Sequence, residues 1–74
     1  MENEIEEELC KHYENIHVQV EYLDIRRYKI EIINNYINTS FEIIYDAHLT
    51  FDSNINIIEN KINNIILNYY RKRV

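Results

Sequence analysis

The sequence has no glycine and no proline among its 74 residues. Glycine-rich phosphate-binding loops of the Walker and Rossmann kinds are therefore excluded. Turns must be built from asparagine, aspartate and serine, whose short polar side chains suit turn geometry. We expect reversals of the chain where these residues cluster.

Cysteine and long apolar runs are also scarce. Cys10 is the single cysteine, so no internal disulfide can form, and such low cysteine usage is typical of a reducing compartment. No segment approaches the roughly 20 apolar residues of a membrane span, and no apolar run resembling a signal peptide follows Met1. We expect a soluble cytoplasmic protein without membrane contact, folded as a single domain over residues 1–74.

The net charge of −5 is concentrated near the N terminus. Six of the first fourteen residues are glutamate, and Lys11 is the only lysine or arginine among them. An acidic surface repels nucleic acid and membranes and attracts basic surfaces. The charge therefore favours a basic protein as partner.

Helical spacing is found at both ends of the chain. Ile5, Leu9, Tyr13 and Ile16 fall three or four residues apart and predict an acidic helix over residues 2–16. A second helix is predicted to follow caps at Asp52 and Ser53. Its apolar stripe comprises Ile55, Ile58, Ile62, Ile65 and Tyr69.

The middle of the chain alternates with a period of two, which is typical of strands. Residues 17–23 and 28–33 predict a hairpin with a short turn centred on Ile25. The register that pairs Tyr22 with Tyr28 sets Glu21 opposite Lys29 and is favoured, because the alternative sets Glu21 against Glu31. A third strand is predicted over residues 41–51, after an asparagine-rich reversal at 34–40.

These elements predict an α+β fold of order α-β-β-β-α, with a three-stranded antiparallel meander and both helices packed on one face. The other face is expected to be open and mostly acidic. The residues predicted on this open face are His17, Gln19, Glu21, Leu23, Lys29, Glu31, Ile33, Glu42, Ile44, Asp46, His48 and Thr50. The tyrosines predicted in the core are Tyr13, Tyr22, Tyr28, Tyr45 and Tyr69, whereas Tyr36 and Tyr70 are predicted to be exposed.

No catalytic, metal or cofactor motif is present in the sequence. The histidines lack metal-ligand spacing, and His17 and His48 on opposite outer strands would stand roughly 10 Å apart. Cys10 has acidic neighbours that disfavour a thiolate, so we expect a weakly buried structural cysteine. Glu42 and Asp46, four residues apart on one strand, are expected to be solvated. We expect neither an enzyme nor a cofactor-binding protein.

The order α-β-β-β-α resembles that of the double-stranded RNA-binding domain. That family carries a lysine-rich segment at the start of its second helix, but residues 52–59 here contain no lysine or arginine. The first helix, which meets the minor groove in that family, is acidic in this chain. Phosphate contacts dominate such affinity, so we expect no direct nucleic-acid binding.

The chain is also similar to small acidic anti-CRISPR proteins of phages in its size, acidity and element order. Its isoleucine, asparagine, tyrosine and lysine content is typical of AT-rich coding and favours a phage or mobile element as source. This resemblance implies an inhibitor that presents carboxylates where its target would bind phosphates. It also implies action in the cytoplasm of the host cell.

The leading hypothesis is a protein that binds and inhibits a basic host protein, such as a CRISPR effector nuclease. The predicted contact residues are Glu2, Glu4, Glu6, Glu7, Glu8, Glu21, Glu31, Glu42, Asp46 and Tyr36. The alternative is a homo-oligomeric structural or regulatory module, such as a homodimer, joined through Leu23, Ile33 and Ile44. A third hypothesis is nucleic-acid binding through Arg26, Arg27, Arg71, Lys72 and Arg73.

Overall fold

The protein has the predicted α-β-β-β-α order in a computed structural model that describes residues 1–73 and the side chains of residues 1–71. The side chains of Lys72 and Arg73, which belong to the third hypothesis, lie outside the described residues. The elements are α1 (Glu2–His12), β1 (His17–Tyr22), β2 (Arg27–Ile33), β3 (Asn38–Ile44) and α2 (Phe51–Arg73).

The three strands form one antiparallel sheet in the order β1-β2-β3. Tyr22 pairs with Tyr28 and Glu21 pairs with Lys29, so the register predicted from cross-strand charge is confirmed. Asp24 closes the hairpin turn, because its Oδ1 accepts the backbone N–H groups of Arg26 at 3.0 Å and Arg27 at 2.9 Å. The side chain of an aspartate thus stabilises this turn in a chain that has no glycine.

Both helices pack on one face of the sheet, as predicted, and the core lies between them and the strands. The residues of the core come from all five helices and strands and from the loop between β2 and β3. The buried apolar residues are Ile5, Leu9, Val18, Tyr28, Ile30, Ile32, Ile37, Ile43, Ile55, Ile58 and Ile62. Among the described residues, neither helix is both long and apolar enough to span a membrane.

The first helix ends earlier than predicted. It stops at His12, and Tyr13 has extended backbone with φ −130° and ψ 106°. The Tyr13 hydroxyl donates to Asn63 Oδ1 of α2 at 2.8 Å. The apolar spacing that continues to Ile16 therefore reflects packing of a connecting segment against the core and not a longer helix.

The third strand is shifted relative to its prediction over residues 41–51. Asn38 already pairs with Ile33, and Ile44 pairs with Arg27, where β2 begins. A strand cannot extend its ladder past the end of its partner. Residues after 45 consequently turn away from the sheet, and Phe51 is the first residue of α2.

The predicted caps of α2, Asp52 and Ser53, were wrong by two and three residues. Thr50 Oγ1 accepts the backbone N–H of Ser53 at 3.1 Å, which is the usual N-cap contact. Thr50 therefore precedes the helix as its cap, while Asp52 lies in the first turn.

Candidate protein-binding surface

The glutamates of α1 do not form one continuous exposed row. Glu6 Oε1 accepts the backbone N–H of Val20 at 2.9 Å, and Glu2 Oε2 accepts that of Tyr22 at 3.1 Å. Cys10 continues this series, because its thiol donates to the carbonyl of Val18 at 3.6 Å. Three side chains of α1 therefore lie along the outer edge of β1.

The match between α1 and β1 has a simple geometric cause. Four residues of an α-helix rise about 6 Å, and two residues of a strand rise about 6.6 Å. Side chains spaced by four on α1 therefore meet successive outward-facing peptide groups of β1. Glu2 and Glu6, predicted as partner contacts, also close an edge that would otherwise be open to another strand.

The other glutamates predicted on α1 differ in their surroundings. Glu4 pairs with the N-terminal ammonium at 2.8 Å, and hydrogen bonding to that group lowers the pKa of Glu4. Glu8 lies 3.5 Å from Lys11 Nζ. Glu7 is exposed, with no ion pair or side-chain hydrogen bond to any residue that the structure describes.

The α1 and sheet carboxylates meet around one shallow groove of about 350 Å³. Glu6 reaches it from α1, whereas Glu21 and Glu31 reach it from β1 and β2. Glu21 and Glu31 are diagonal neighbours, since Glu21 pairs with Lys29 and Glu31 pairs with Gln19. The complete lining is Glu6, His17, Gln19, Val20, Glu21, Lys29 and Glu31.

Bases interrupt the acids on the open face of the sheet. Lys29 pairs with Glu21 on one side and Glu42 on the other. Arg27 lies 3.9 Å from Glu42 and 2.6 Å from Asp24. Glu42 therefore has two bases close to it, whereas the groove brings three carboxylates together with one lysine.

Asp46, predicted on the open face, is not there. It lies in the turn between β3 and α2, and its Oδ1 accepts the backbone N–H of His48 at 2.9 Å. His48 and Thr50 lie in the same turn for the same reason, namely that β3 ends at Ile44. The predicted carboxylate pair of Glu42 and Asp46 on one strand face was wrong.

Tyr36 is exposed, as predicted, but it does not line the groove. It lies in the loop between β2 and β3 with 61% of its surface accessible. A separate depression near the C-terminal half of α2 brings it close to Ile65 and Tyr69. Tyr36 and the acidic groove therefore belong to different surfaces.

The predicted oligomer contacts are unequal. Ile44 is 71% exposed at the end of β3 and lines a depression with Ile25, which is 84% exposed. Leu23 and Ile33 are only half-exposed. Ile44 is thus the apolar residue of this set that is most accessible to another molecule.

Two predictions of burial were wrong. Cys10 is exposed, because the helix presents it beside the edge of β1 and not to the core. Tyr22 is 52% exposed, because it is the last residue of β1. Its ring packs edge-on against Tyr28 at 5.8 Å between centroids.

His12 and Asn54 are polar residues whose structural contacts were not predicted. His12 Nδ1 lies 2.6 Å from Glu59 Oε1 and links the end of α1 to α2. Asn54 is buried, and its amide holds the backbone of Asp46 and Thr50. Among the described residues, no three histidine, cysteine, aspartate or glutamate side chains are placed to hold a metal ion.

No match was found among family models, curated proteins or solved structures.

Proposed function

We propose that this protein binds, and by binding inhibits, a basic nucleic-acid-binding protein. The observation that supports the proposal is the convergence of Glu6, Glu21 and Glu31 around one groove. These three residues lie on α1, β1 and β2, which are packed by the same core, so their backbones are held in fixed relative positions. A partner lysine or arginine entering the groove would therefore meet a preorganised set of acceptors.

The partner class follows from charge. Proteins that bind nucleic acids present basic surfaces to phosphates, and an acidic protein of net charge −5 is attracted to such surfaces. Diagonal neighbours such as Glu21 and Glu31 stand roughly 7–8 Å apart at the backbone. Their carboxylates would occupy positions on the partner that phosphates otherwise fill, which excludes nucleic acid. The proposal involves no catalytic step.

A CRISPR effector nuclease is one partner of this kind, and a phage-encoded inhibitor would meet it in the host cytoplasm. Glu4, Glu7 and Glu8 on α1 and Glu42 on β3 are the further carboxylates available to a broader contact. Exposed ion pairs contribute only about 0–1 kcal/mol each. Useful affinity therefore requires several of them at once.

The test uses an effector nuclease loaded with its guide RNA and measures DNA cleavage at increasing concentrations of this protein. We expect inhibition that weakens steeply between about 50 and 500 mM salt, because exposed charges are screened. The double variant Glu21→Gln/Glu31→Gln should raise the inhibition constant about tenfold, since two ion pairs are removed.

The matched control is Glu14→Gln/Asp52→Asn, which changes the net charge equally at exposed positions outside the groove. We expect this control to change inhibition less than about twofold. Inhibition that both double variants weaken equally would mean that net charge alone drives binding. Cleavage unaffected at all concentrations would reject the nuclease as partner, and the same pair of variants would then be applied to other basic nucleic-acid-binding proteins.

A further inference from the structure

The two outer edges of the sheet differ in whether other side chains cover their peptide groups. The edge of β1 is covered by Glu2, Glu6 and Cys10. The outer edge of β3 has no such cover within the described part of the chain. Proteins usually protect a free edge with proline, a bulge, several charges or a covering segment, and β3 has a regular register, no proline and Glu42 as its only charge.

The peptide groups on this free edge can be identified from the ladder. Tyr45 N–H donates to Arg26 O at 2.7 Å, which continues the bonded pairs between β3 and β2. Hydrogen-bonded and outward-facing residues alternate along an antiparallel strand. The outward N–H and C=O groups of β3 therefore belong to Asn38, Ser40, Glu42 and Ile44.

We propose that a second copy of this chain pairs with β3 through these groups, antiparallel and across a two-fold axis at Phe41. This arrangement pairs all seven residues of β3, with Asn38 opposite Ile44 and Ser40 opposite Glu42. A register centred on Glu42 would set the two Glu42 side chains against each other, and one centred on Ser40 would pair fewer residues. Self-pairing at Phe41 therefore avoids like charges across the interface.

The side chains near the axis support this register. Phe41 is half-buried at the core-facing side of β3, so the two Phe41 rings would meet there as a close cross-strand pair. The exposed Ile44 and Ile25 continue the edge as an apolar patch at its end. The dimer would contain a six-stranded sheet.

This dimer is independent of the proposed inhibition. The acidic groove is lined from β1, β2 and α1, on the side of the sheet away from β3. Each copy would keep its groove, with one at either end of the joined sheet. Failure of either proposal therefore leaves the other standing.

The first test is the sedimentation mass of the wild-type chain between about 1 μM and 1 mM. We expect a shift from 9.2 kDa toward twice that mass as concentration rises. In the dimer, the Ser40 and Glu42 amides should gain protection from hydrogen exchange and lose it on dilution. The Val20 and Tyr22 amides of the closed edge serve as the control and should not change. The proposal would be overturned if the chain were a monomer at every concentration, or if the protection of the Ser40 and Glu42 amides from hydrogen exchange did not depend on dilution. The free edge of β3 would then be available only to a strand of another protein.

The second test examines the register of β3 against β3 of the second copy. Ser40→Lys places a lysine opposite Glu42 of the second copy, twice per dimer, and should tighten association about tenfold. Ser40→Glu places a second carboxylate opposite Glu42 at the same two positions of the dimer and should weaken association by a similar factor. Circular dichroism verifies that both variants fold, since residue 40 also neighbours Glu31 within one copy. Equal dissociation constants for the two folded variants would place the interface elsewhere.

Discussion

Glu6 Oε1 accepts a hydrogen bond from the backbone N–H of Val20 at 2.9 Å, so a helix side chain takes the place of a neighbouring strand. Together with the contact of Glu2 with Tyr22, this bond fixes α1 along β1. The acidity of the N-terminal helix thus has a structural role at the sheet edge, while Glu6 still lines the groove.

Replacing Glu6 tests that structural role. Glu6→Ala leaves a partly buried N–H of Val20 without its charged acceptor, which should reduce the free energy of unfolding by about 1–2 kcal/mol. Glu6→Gln keeps a carbonyl acceptor and should reduce the free energy of unfolding by less than Glu6→Ala does. Glu7→Ala, at an exposed neighbouring position, should stay within about 0.5 kcal/mol. Urea denaturation of the three variants measures these differences, and equal losses for Glu6→Ala and Glu7→Ala would contradict the role of the bond.

Asn54 should be the polar side chain most sensitive to replacement. It is only 3% exposed, and its amide bonds both the N–H and the C=O of Asp46, as well as the C=O of Thr50. Asn54→Ala leaves these groups without their hydrogen-bond partner. It should reduce the free energy of unfolding by about 2–3 kcal/mol, although alanine has the higher helix propensity. Asn56→Ala, on the exposed side of α2, is the control and should be neutral or slightly stabilising. Thermal unfolding distinguishes the two, and similar melting temperatures would refute the prediction.

The N-cap of α2 gives a third prediction. Thr50→Ala removes the acceptor of the Ser53 N–H and should lower stability by about 1 kcal/mol. Thr50→Ser keeps the hydroxyl and should recover most of that loss. Chemical denaturation followed by circular dichroism compares the pair. If serine and alanine were equally destabilising, loss of the threonine methyl group would explain the effect better than loss of the cap.

Alkaline pH should weaken the fold through Tyr13. Burial, and then the charge of Glu59, raises the pKa of Tyr13 to about 12 from its ordinary value of 10.0. Because the unfolded chain loses this proton first, stability is retained below about pH 10 and falls as the pH rises toward 12. Tyr13→Phe removes the titrating group, so its urea midpoint should drop less between pH 9 and 11 than that of the wild type. The exposed Tyr70→Phe is the control and should show the full drop.

The order of the elements could be predicted because local periodicity carries it. Ile5 and Leu9 mark one helix, Ile55, Ile58 and Ile62 mark the other, and the alternating runs mark the strands. The hairpin register was also predictable, since only one of the two candidate registers sets Glu21 opposite a base, Lys29, whereas the other sets it opposite Glu31. Periodicity did not reveal where β3 ends, because residues 45–51 continue to alternate. The extent of β3 depends on where β2 begins.

The candidate site was predicted less completely. Glu6, Glu21 and Glu31 were all among the predicted contacts, but the sequence did not indicate that they share a groove. Their convergence depends on how α1 lies along β1, which is a contact between elements. The sequence did not place Asp46 in a turn either, because that turn depends on the buried amide of Asn54.

The sequence by itself determined the α-β-β-β-α order, the register of the first hairpin and the concentration of negative charge near the N terminus. These features follow from residue spacing and from pairs of neighbouring charges. Only the tertiary structure decided which glutamates of α1 bond to the edge of the sheet, because Glu2 and Glu6 are the ones placed beside the outward peptide groups of β1. It also decided that β1 has a covered edge and β3 a free one, since that difference depends on where α1 packs.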